Sequence, residues 1–322
     1  MSGGESRCSV VVVLIPDGEA ESDSVAATRV AAGNDRLLGA AVKNAAALHR
    51  DIRNVTLWVI AERMRGRSCL SRLYDALWDL SLDAGCVGLD CRVSMDSLSD
   101  NDNSATSAAL LPGVSRIVFA VGSGVAYDTF DPRSLPALQA ERGLGALEFI
   151  EVDGSGEFGS YHLYDNPSDE YPPGDHVLLG GTFDHMHNGH KKLLSVAADS
   201  SRRKITVGVT CADMLKSKRE ADLIESVDAR QGRVRSFLTS IAPHLEIDVV
   251  VINDPYGPYN MIDLDTIIVS SETLKGARLL NEKRVNEGLK PLRVIAVMRS
   301  NAFTLSSTFV RRAIRKEGAA AL

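Results

Sequence analysis

The second half of the chain alternates short runs of Val, Ile and Leu with segments of helical periodicity. In order along the chain, the apolar runs are HVLLGG, KITVGVT, EIDVVVIND, DTIIVSS and LRVIAVM. Nearly continuous apolar runs are typical of strands that are covered on both faces, and helices between the strands provide such cover. The pattern therefore predicts an α/β domain with a doubly wound parallel sheet, in which ligands bind beyond the carboxyl ends of the strands.

A similar alternation comes earlier, in the runs SVVVVLI, NVTLWVIA and SRIVFAVG, and predicts a further α/β domain. The two regions are separated by DNPSDEYPPGD at residues 165–175, where the prolines cannot continue a helix or a strand. A chain of 322 residues also exceeds the usual size of one domain. We therefore expect an N-terminal α/β domain of unknown role over residues 1–165 and a second domain over residues 175–322.

One segment between the two regions fits a known nucleotide-binding pattern. Residues 154–159, GSGEFG, match the GxGxxG of dinucleotide-binding loops, but the segment that follows, SYHLYDNPSDEYPPG, has no helical pattern. The helix N-terminus that would bind a pyrophosphate is thus not expected there. We interpret the match as a turn.

The composition disfavours several classes of function. No apolar run approaches the ~20 residues of a membrane-spanning helix, and the net charge of -6 disfavours general nucleic-acid binding. Five cysteines without a CxxC pair disfavour a disulfide framework and a zinc ribbon, and favour a reducing, cytoplasmic setting. Residues 270–316, however, carry eleven Lys and Arg against three acidic residues, which indicates a local site for an anionic ligand.

The segment GGTFDHMHNGH, residues 180–190, contains three glycines and three histidines. A metal site is disfavoured, because HxxH here lacks the intervening Glu and the third ligand of a zinc motif. A phosphate site accounts for more of the residues. Gly180 and Gly181 permit a close backbone approach and a positive φ, while Thr182 offers a hydroxyl and an N–H.

We expect a helix to begin near Asn188, with His190 in its first turn and His187 three residues earlier. Free N–H groups and the helix dipole attract anions at such a position. Two imidazoles there are suitable donors to a phosphate whose negative charge grows in a transition state. The alternative is that both histidines only cap the helix and pack.

These residues resemble a known family. HNGH after GGTFD resembles the (T/H)xGH signature of the nucleotidyltransferase superfamily, and GGTFDHMHNGHKKLL is similar to the phosphopantetheine adenylyltransferases of eukaryotic and archaeal type. Three later segments are similar to the adenylyltransferase part of animal CoA synthase: DPYGP at 254–258, SSETLKGARLLNEKRVNEGLKPL at 270–292, and LSSTFVRR at 305–312. The first 165 residues resemble only the poorly defined N-terminal region of that enzyme. Because GxxxxGK[ST] does not occur, we expect no dephospho-CoA kinase in this chain.

The resemblance implies a Rossmann-like domain that transfers AMP from ATP to 4'-phosphopantetheine, giving dephospho-CoA and pyrophosphate without a covalent intermediate. With it we expect Mg²⁺ bound to the ATP, no metal held by protein ligands, and no nucleic-acid or membrane partner. The oligomeric state stays open. Two alternatives remain: another nucleotidyltransferase of the superfamily, such as a cytidylyltransferase or a mononucleotide adenylyltransferase, and a non-catalytic nucleotide-binding scaffold.

The same resemblance implies the roles of individual residues. The attacking phosphate and the α-phosphate of ATP would contact Thr182, and His187 and His190 would stabilise the transferring phosphoryl group. We call this set of phosphate contacts the clamp. A lysine of the segment LKSK would complete it, and the sequence leaves Lys216 and Lys218 as alternatives.

Further ATP contacts are expected from three motifs: Gly180, Gly181 and Phe183 in the turn, Lys275, Gly276 and Arg278 in LKGAR, and Ser306, Ser307, Thr308 and Arg311 in LSSTFVRR. Two basic residues three positions apart at a helix start can reach phosphates on one face. Hydroxyl and N–H groups at the start of the following helix suit the β- and γ-phosphates.

The remaining polar residues of these motifs are expected outside the catalytic set. We expect Arg312, Arg315 and Lys316 to form only a solvated face. Asp184 either contacts Mg²⁺ or caps the loop, and His185 belongs to the loop without a chemical role.

Overall fold

The computed structural model describes residues 8–14, 37–48, 54–61, 67–86, 89–95, 114–121, 140, 148–153, 172–297, 306–308, 311–312 and 315. The chain divides into two compact units, Met1–Asp169 and Glu170–Leu322. The GxGxxG match at 154–159 and Lys316 lie outside the described residues. Within the described part of the chain, no helix has the length and apolar character needed to cross a membrane.

The first unit is built on a parallel sheet of five strands. They are β1 (Cys8–Leu14), β2 (Val55–Ala61), β3 (Asp90–Met95), β4 (Val114–Val121) and β5 (Glu148–Asp153), in the order β3-β2-β1-β4-β5. The described helices of this unit are α1 (residues 37–48) and α2 (Arg67–Asp83). Val10, Val11 and Val12 of the central strand are fully buried, as expected for a strand that is covered on both faces. The predicted N-terminal α/β fold is confirmed.

The second unit contains another five-stranded parallel sheet. Its strands are β6 (Gly174–Gly181), β7 (Ser201–Thr210), β8 (Glu246–Ile252), β9 (Thr266–Ser270) and β10 (Arg293–Val297), in the order β10-β9-β6-β7-β8. The long helices are α3 (Asn188–Asp199), α4 (Val227–Ile241) and α5 (Leu274–Asn286). The predicted doubly wound parallel sheet is confirmed. Residues 307–308, 311–312 and 315, near the end of the chain, are also helical.

Both sheets have the same topology, because the first strand of each is central and is flanked by the second and the fourth. The sequence nevertheless shows no internal repeat. Two sheets can share a topology without similar residues, because the topology requires only apolar strands in a given order. In the second unit the strand order reverses between β6 and β9, which pair in parallel with Leu179 opposite Ile268. Ligands bind at such a topological switch point, beyond the carboxyl ends of the strands.

Helix α5 is fixed to this edge of the sheet by an apolar face. Ala277 and Leu280, one helical turn apart, pack in a cluster with Leu178 of β6 and with Ile267 and Val269 of β9. Because α5 follows β9 after a short 3₁₀ turn, this packing places its first residues at the carboxyl end of the sheet. The same end carries the GGTFDHMHNGH turn after β6.

Candidate active site

The turn after β6 has an unusual backbone. Phe183 and His185 have positive φ values of 52° and 43°, which residues other than glycine rarely adopt. Gly180 and Gly181, which would permit a positive φ, instead continue the strand. Gly181 packs closely against the Phe183 ring, since an added Cβ there would lie 3.1 Å from a ring carbon. Strained residues of this kind persist where their surroundings hold them.

Side chains from distant segments hold this turn. The buried Asp184 carboxylate accepts a hydrogen bond from the Glu225 N–H at 2.9 Å and forms an ion pair with Arg311 at 2.5 Å. The Ser307 hydroxyl donates to the Asp184 carbonyl at 2.9 Å. The His185 ring contacts the Leu223 carbonyl at 2.9 Å through Nε2. Asp184 therefore caps the loop, and His185 anchors it.

A buried arginine that was not predicted as a site residue also supports the turn. Arg230 of α4 donates to the carbonyls of Thr182 at 2.8 Å, Thr210 at 2.9 Å and Glu225 at 3.0 Å. The guanidinium thereby joins the ends of β6 and β7 to the start of α4. Its donors are used by backbone oxygens, so Arg230 serves the site as a brace. No local sequence signal separates it from the other arginines of α4.

The two histidines of HNGH lie against each other at the start of α3. The helix begins at Asn188, as predicted, and His187 is its N-cap. The rings of His187 and His190 are stacked, with centroids 3.9 Å apart and an interplanar angle of 22°. The His190 ring also packs against Phe183 at 5.5 Å. The structure thus brings both imidazoles together at a helix N-terminus, where an anion is favoured.

His190 is neutral at physiological pH. Removal from water lowers the pKa of this imidazole to about 4, and the positive charges of Lys218 and Lys191 act in the same direction, whereas Asp184 opposes them. The Nδ1 atom of His190 is buried and has no hydrogen-bond partner among the described residues. A neutral imidazole has a single N–H, which allows His190 to donate one hydrogen bond.

The structure separates the two lysines of LKSK. The Lys218 ammonium donates to the Thr182 hydroxyl at 2.8 Å, whereas Lys216 extends into solvent and pairs with Asp213 at 2.7 Å. Partial burial, together with the nearby charges of Arg311 and Arg230, lowers the pKa of Lys218. The geometry therefore favours Lys218 over Lys216 as the lysine of the clamp.

The Thr182 hydroxyl has a second neighbour, Thr210 at the end of β7, at a distance of 3.4 Å between the two hydroxyl oxygens. A hydroxyl has two acceptor lone pairs and one proton. When Lys218 and Thr210 both donate to it, the Thr182 proton is left to bind a ligand. Thr210 was not predicted as a site residue, although its position at a strand end of this edge is a signal that could have identified it.

The predicted phosphate contacts of LKGAR lie at the start of α5. Lys275, Gly276 and Arg278 are exposed, and an added Cβ at Gly276 would meet no atom within 4 Å. Because β6 and β9 are adjacent and parallel, these residues share a sheet edge with Thr182. The two cations are thus accessible to an anion at that edge.

The LSST motif docks on the turn through Arg311, which is 2% exposed. Besides the ion pair with Asp184, the Arg311 guanidinium contacts the Arg219 carbonyl and the Thr308 hydroxyl, both at 3.2 Å. Ser306, Ser307 and Thr308 are half-buried. Arg311 therefore lies behind the turn and anchors it, with its charge directed at Asp184.

Arg312 and Arg315 are exposed, as expected for a solvated face, and each also forms an ion pair. Arg312 pairs with Glu220 at 3.4 Å, and Arg315 forms a bidentate pair with Asp222 at 2.8 Å to both carboxylate oxygens. Both acidic groups lie in the segment directly after Lys218, which sequence spacing could not reveal.

Among the described residues, one group of potential metal ligands comes together: Asp184, His185 and Glu225. Its atoms already have partners in the protein. Asp184 binds Arg311, the His185 ring contacts Leu223, and Glu225 accepts from the His185 N–H at 2.9 Å and pairs with Arg233. The arrangement is that of a hydrogen-bonded loop anchor.

A cavity of about 200 Å³ lies beside Arg230. Leu215, Ile224 and Val227 form much of its apolar wall, Lys216 and Arg230 supply charge, and the start of α4 closes one side. Arg230 connects the cavity with Thr182 through its hydrogen bond to the Thr182 carbonyl. The cavity and the Thr182 carbonyl thus contact the same buried guanidinium.

Comparison with known proteins bears on the family. Residues 178–313 match the cytidylyltransferase-like family model. A phosphopantetheine adenylyltransferase of Pyrobaculum aerophilum is 38% identical over 145 residues, which are 44% of this chain and 92% of that protein. The chain belongs to the phosphopantetheine adenylyltransferase family. The matched region of 145 residues has the length of one domain and covers most of this archaeal protein.

Two yeast proteins are also similar. The phosphopantetheine adenylyltransferase of Saccharomyces cerevisiae is 36% identical over 179 residues, or 50% of this chain and 59% of that protein. An uncharacterized protein of Schizosaccharomyces pombe is 35% identical over 150 residues, or 43% of this chain and 48% of that protein. The matched region thus spans about half the length of these yeast relatives.

Proposed function

We propose that this protein transfers AMP from ATP to 4'-phosphopantetheine, forming dephospho-CoA and pyrophosphate, the penultimate step of coenzyme A biosynthesis. Membership of the phosphopantetheine adenylyltransferase family supports the proposal. The structural observation that supports it most directly is the 2.8 Å contact between Lys218 and Thr182, beside the stacked pair of His187 and His190. The donors that we propose for phosphate, which are Thr182 and His187 in the turn after β6, His190 of α3 and Lys218, all follow the carboxyl ends of strands of this sheet.

The reaction requires no enzyme nucleophile. An oxygen of the acceptor phosphate attacks the α-phosphorus of ATP, a P–O bond to that phosphorus forms, and the P–O bond to the leaving pyrophosphate breaks. Lys218 and the hydroxyl proton of Thr182 hold the acceptor phosphate in line. His190 and His187 donate to the α-phosphoryl oxygens, whose negative charge is redistributed in the transition state. A neutral His190 provides a directed N–H without a change of protonation.

The triphosphate of ATP would extend from the clamp toward the exposed start of α5. There Lys275 and Arg278 provide positive charge, and Gly276 leaves room for close approach. Hydroxyl and N–H groups of Ser306, Ser307 and Thr308 would bind the β- and γ-phosphates. Arg311 would support this group from behind, through Asp184, without touching the nucleotide.

Mg²⁺ is the expected cofactor, bound to the ATP phosphates. Asp184, the carboxylate closest in sequence to Thr182, is committed to Arg311 and to the Glu225 N–H, so the residues present fit a metal carried by phosphate and water oxygens. When bound, Mg²⁺ neutralises charge on the leaving pyrophosphate. We propose a cytoplasmic location, in keeping with Cys86 and Cys211, which are free thiols.

A second class of acceptor is the main alternative, since cytidylyltransferase-like domains share the same motifs. Membership of the phosphopantetheine adenylyltransferase family favours 4'-phosphopantetheine as the acceptor. The decisive test is pyrophosphate release from ATP with a panel of phosphorylated acceptors. We expect release with 4'-phosphopantetheine and little with nicotinamide mononucleotide or phosphocholine. Release with one of the latter acceptors alone would overturn the substrate assignment.

The two lysines of LKSK provide a test of the clamp with an internal control. Lys218→Ala removes a cation 2.8 Å from the Thr182 hydroxyl, and we expect kcat to fall at least about tenfold, the scale for a lost charged hydrogen bond. Lys216→Ala removes only an exposed pair with Asp213 and should stay within about twofold of the wild type. Steady-state pyrophosphate release measures both. A larger loss for Lys216→Ala would contradict the assignment.

A further inference from the structure

Three successive contacts link the end of the chain to the segment that follows Lys218. Arg311 donates to the Arg219 carbonyl at 3.2 Å, Arg312 pairs with Glu220 at 3.4 Å, and Arg315 pairs with Asp222 at 2.8 Å. Residues three and four apart are neighbours on a helix surface, so the three arginines can present their charges together. We call residues 219–222 the acidic strap.

The acidic strap has a backbone that depends on such support. Glu220 adopts the left-handed conformation, with φ of 50° and ψ of 46°, which is unfavourable for a residue with a side chain. A short 3₁₀ turn, Ala221–Leu223, follows it. Strained conformations of this kind persist only when surrounding contacts hold them. The contact with Arg312 acts on the strained residue itself.

We propose that Arg312 and Arg315 are positioning residues that hold the acidic strap and thereby keep Lys218 on the Thr182 hydroxyl. The strap begins at the residue next to Lys218, so a shift of Glu220 or Asp222 moves the lysine. The far side of the segment is fixed separately, because the Glu225 N–H binds the buried Asp184. With both ends held, the ammonium lies 2.8 Å from its partner before substrate binds.

The proposal gives the basic C-terminal residues a role in the chemical step without contact with a ligand. It rests on the proposed function only where turnover is measured, because the position of Lys218 can be tested without substrate. Exposed ion pairs stabilise a fold by little. A variant that breaks one of these pairs should therefore leave the fold intact and still change the clamp.

The first experiment is hydrogen exchange in the free protein. The amides of Lys218 and Leu223 donate within the segment, to Leu215 and Glu220 respectively, and we expect Arg315→Asp to speed their exchange. Arg202→Asp is the matched control. The Arg202–Asp175 pair is 57% and 67% exposed, compared with 53% and 69% for Arg315–Asp222. Unchanged exchange at Lys218 and Leu223 in Arg315→Asp would overturn the proposal.

The second experiment is a double-mutant cycle on turnover. We expect Arg315→Asp to lower kcat about fivefold, the upper scale for an exposed pair, with little effect on the KM for ATP. The charge swap Asp222→Arg with Arg315→Asp should restore most of the loss. In a Lys218→Ala background, Arg315→Asp should have almost no further effect. Additive losses would show that Arg315 acts independently of Lys218, and would refute the positioning role.

The two experiments distinguish failure of this proposal from failure of the proposed function. If wild-type protein releases no pyrophosphate with 4'-phosphopantetheine, the substrate assignment fails, and the exchange experiment alone decides the positioning role. If the wild type is active and Arg315→Asp changes neither exchange nor kcat, the strap contacts have no role in the clamp. Arg202→Asp should retain wild-type kcat in either case.

Discussion

His190→Ala is expected to lower kcat by about 100-fold or more without loss of the fold. The scale is that of removing one preorganised donor to a transition-state oxyanion, roughly 100- to 1,000-fold. His190 lies at the N-terminus of α3, its ring is stacked on His187, and its pKa of about 4 keeps it neutral. The donor is therefore in place with a fixed protonation state. Pyrophosphate release at saturating ATP and acceptor measures the change.

Two controls sharpen this test. His190→Gln retains an N–H donor on a flexible side chain, and its kcat should fall between those of the wild type and His190→Ala. His244→Ala removes an exposed imidazole after α4 and should leave kcat unchanged. If His190→Ala kept near-normal turnover, His190 would be a packing residue, which is the alternative that the sequence left open.

Arg311→Leu is expected to destabilise the second unit by about 3–5 kcal/mol, the cost of leaving one member of a buried ion pair without its partner. Asp184 is fully buried and Arg311 is 2% exposed. Without the arginine, the Asp184 carboxylate keeps the Glu225 N–H as a donor but loses its counter-charge. The Arg219 carbonyl and the Thr308 hydroxyl lose the same partner.

Amide hydrogen exchange of β6 and β7 is the appropriate measurement for this variant. Trp58 and Trp78 are the two tryptophans of the chain and both lie in the first unit, so their fluorescence does not report on the second. Asp184→Asn with Arg311→Leu should recover part of the loss, because a neutral amide removes the unpaired charge and can still accept from the Glu225 N–H. Equal protection in Arg311→Leu and the wild type would contradict the role of the ion pair.

Much of the fold could be predicted from the sequence, because strand and helix periodicities are local properties. The runs HVLLGG and DTIIVSS identified two neighbouring strands of one parallel sheet, and the helix start at Asn188 was confirmed. The positions with positive φ in the turn after β6 could not be predicted. They occur at Phe183 and His185, since contacts from Glu225, Leu223 and Arg311 hold the turn, and those residues are remote in sequence.

The positions of individual side chains could likewise be predicted only where they depend on local sequence. The motif placed Thr182, His187 and His190 at one strand end, which required only the order of residues along a turn. The brace formed by Arg230 had no sequence signal, because an arginine within an amphipathic helix is usually an exposed residue. Its burial depends on three carbonyl acceptors contributed by separate segments.

The sequence by itself determined that both regions are α/β, that the second contains a parallel sheet, and which segment beyond β6 we assign to phosphate. Only the tertiary structure brought the Lys218 ammonium, and not that of Lys216, to the Thr182 hydroxyl and turned the charge of Arg311 toward Asp184. These contacts join residues 36 and 127 positions apart in the chain. Local periodicity carries no information at such separations, because the contacts depend on how the loops fold against one another. The physical reason is burial: Asp184 is fully removed from water, so its charge requires a partner that only the folded chain brings near.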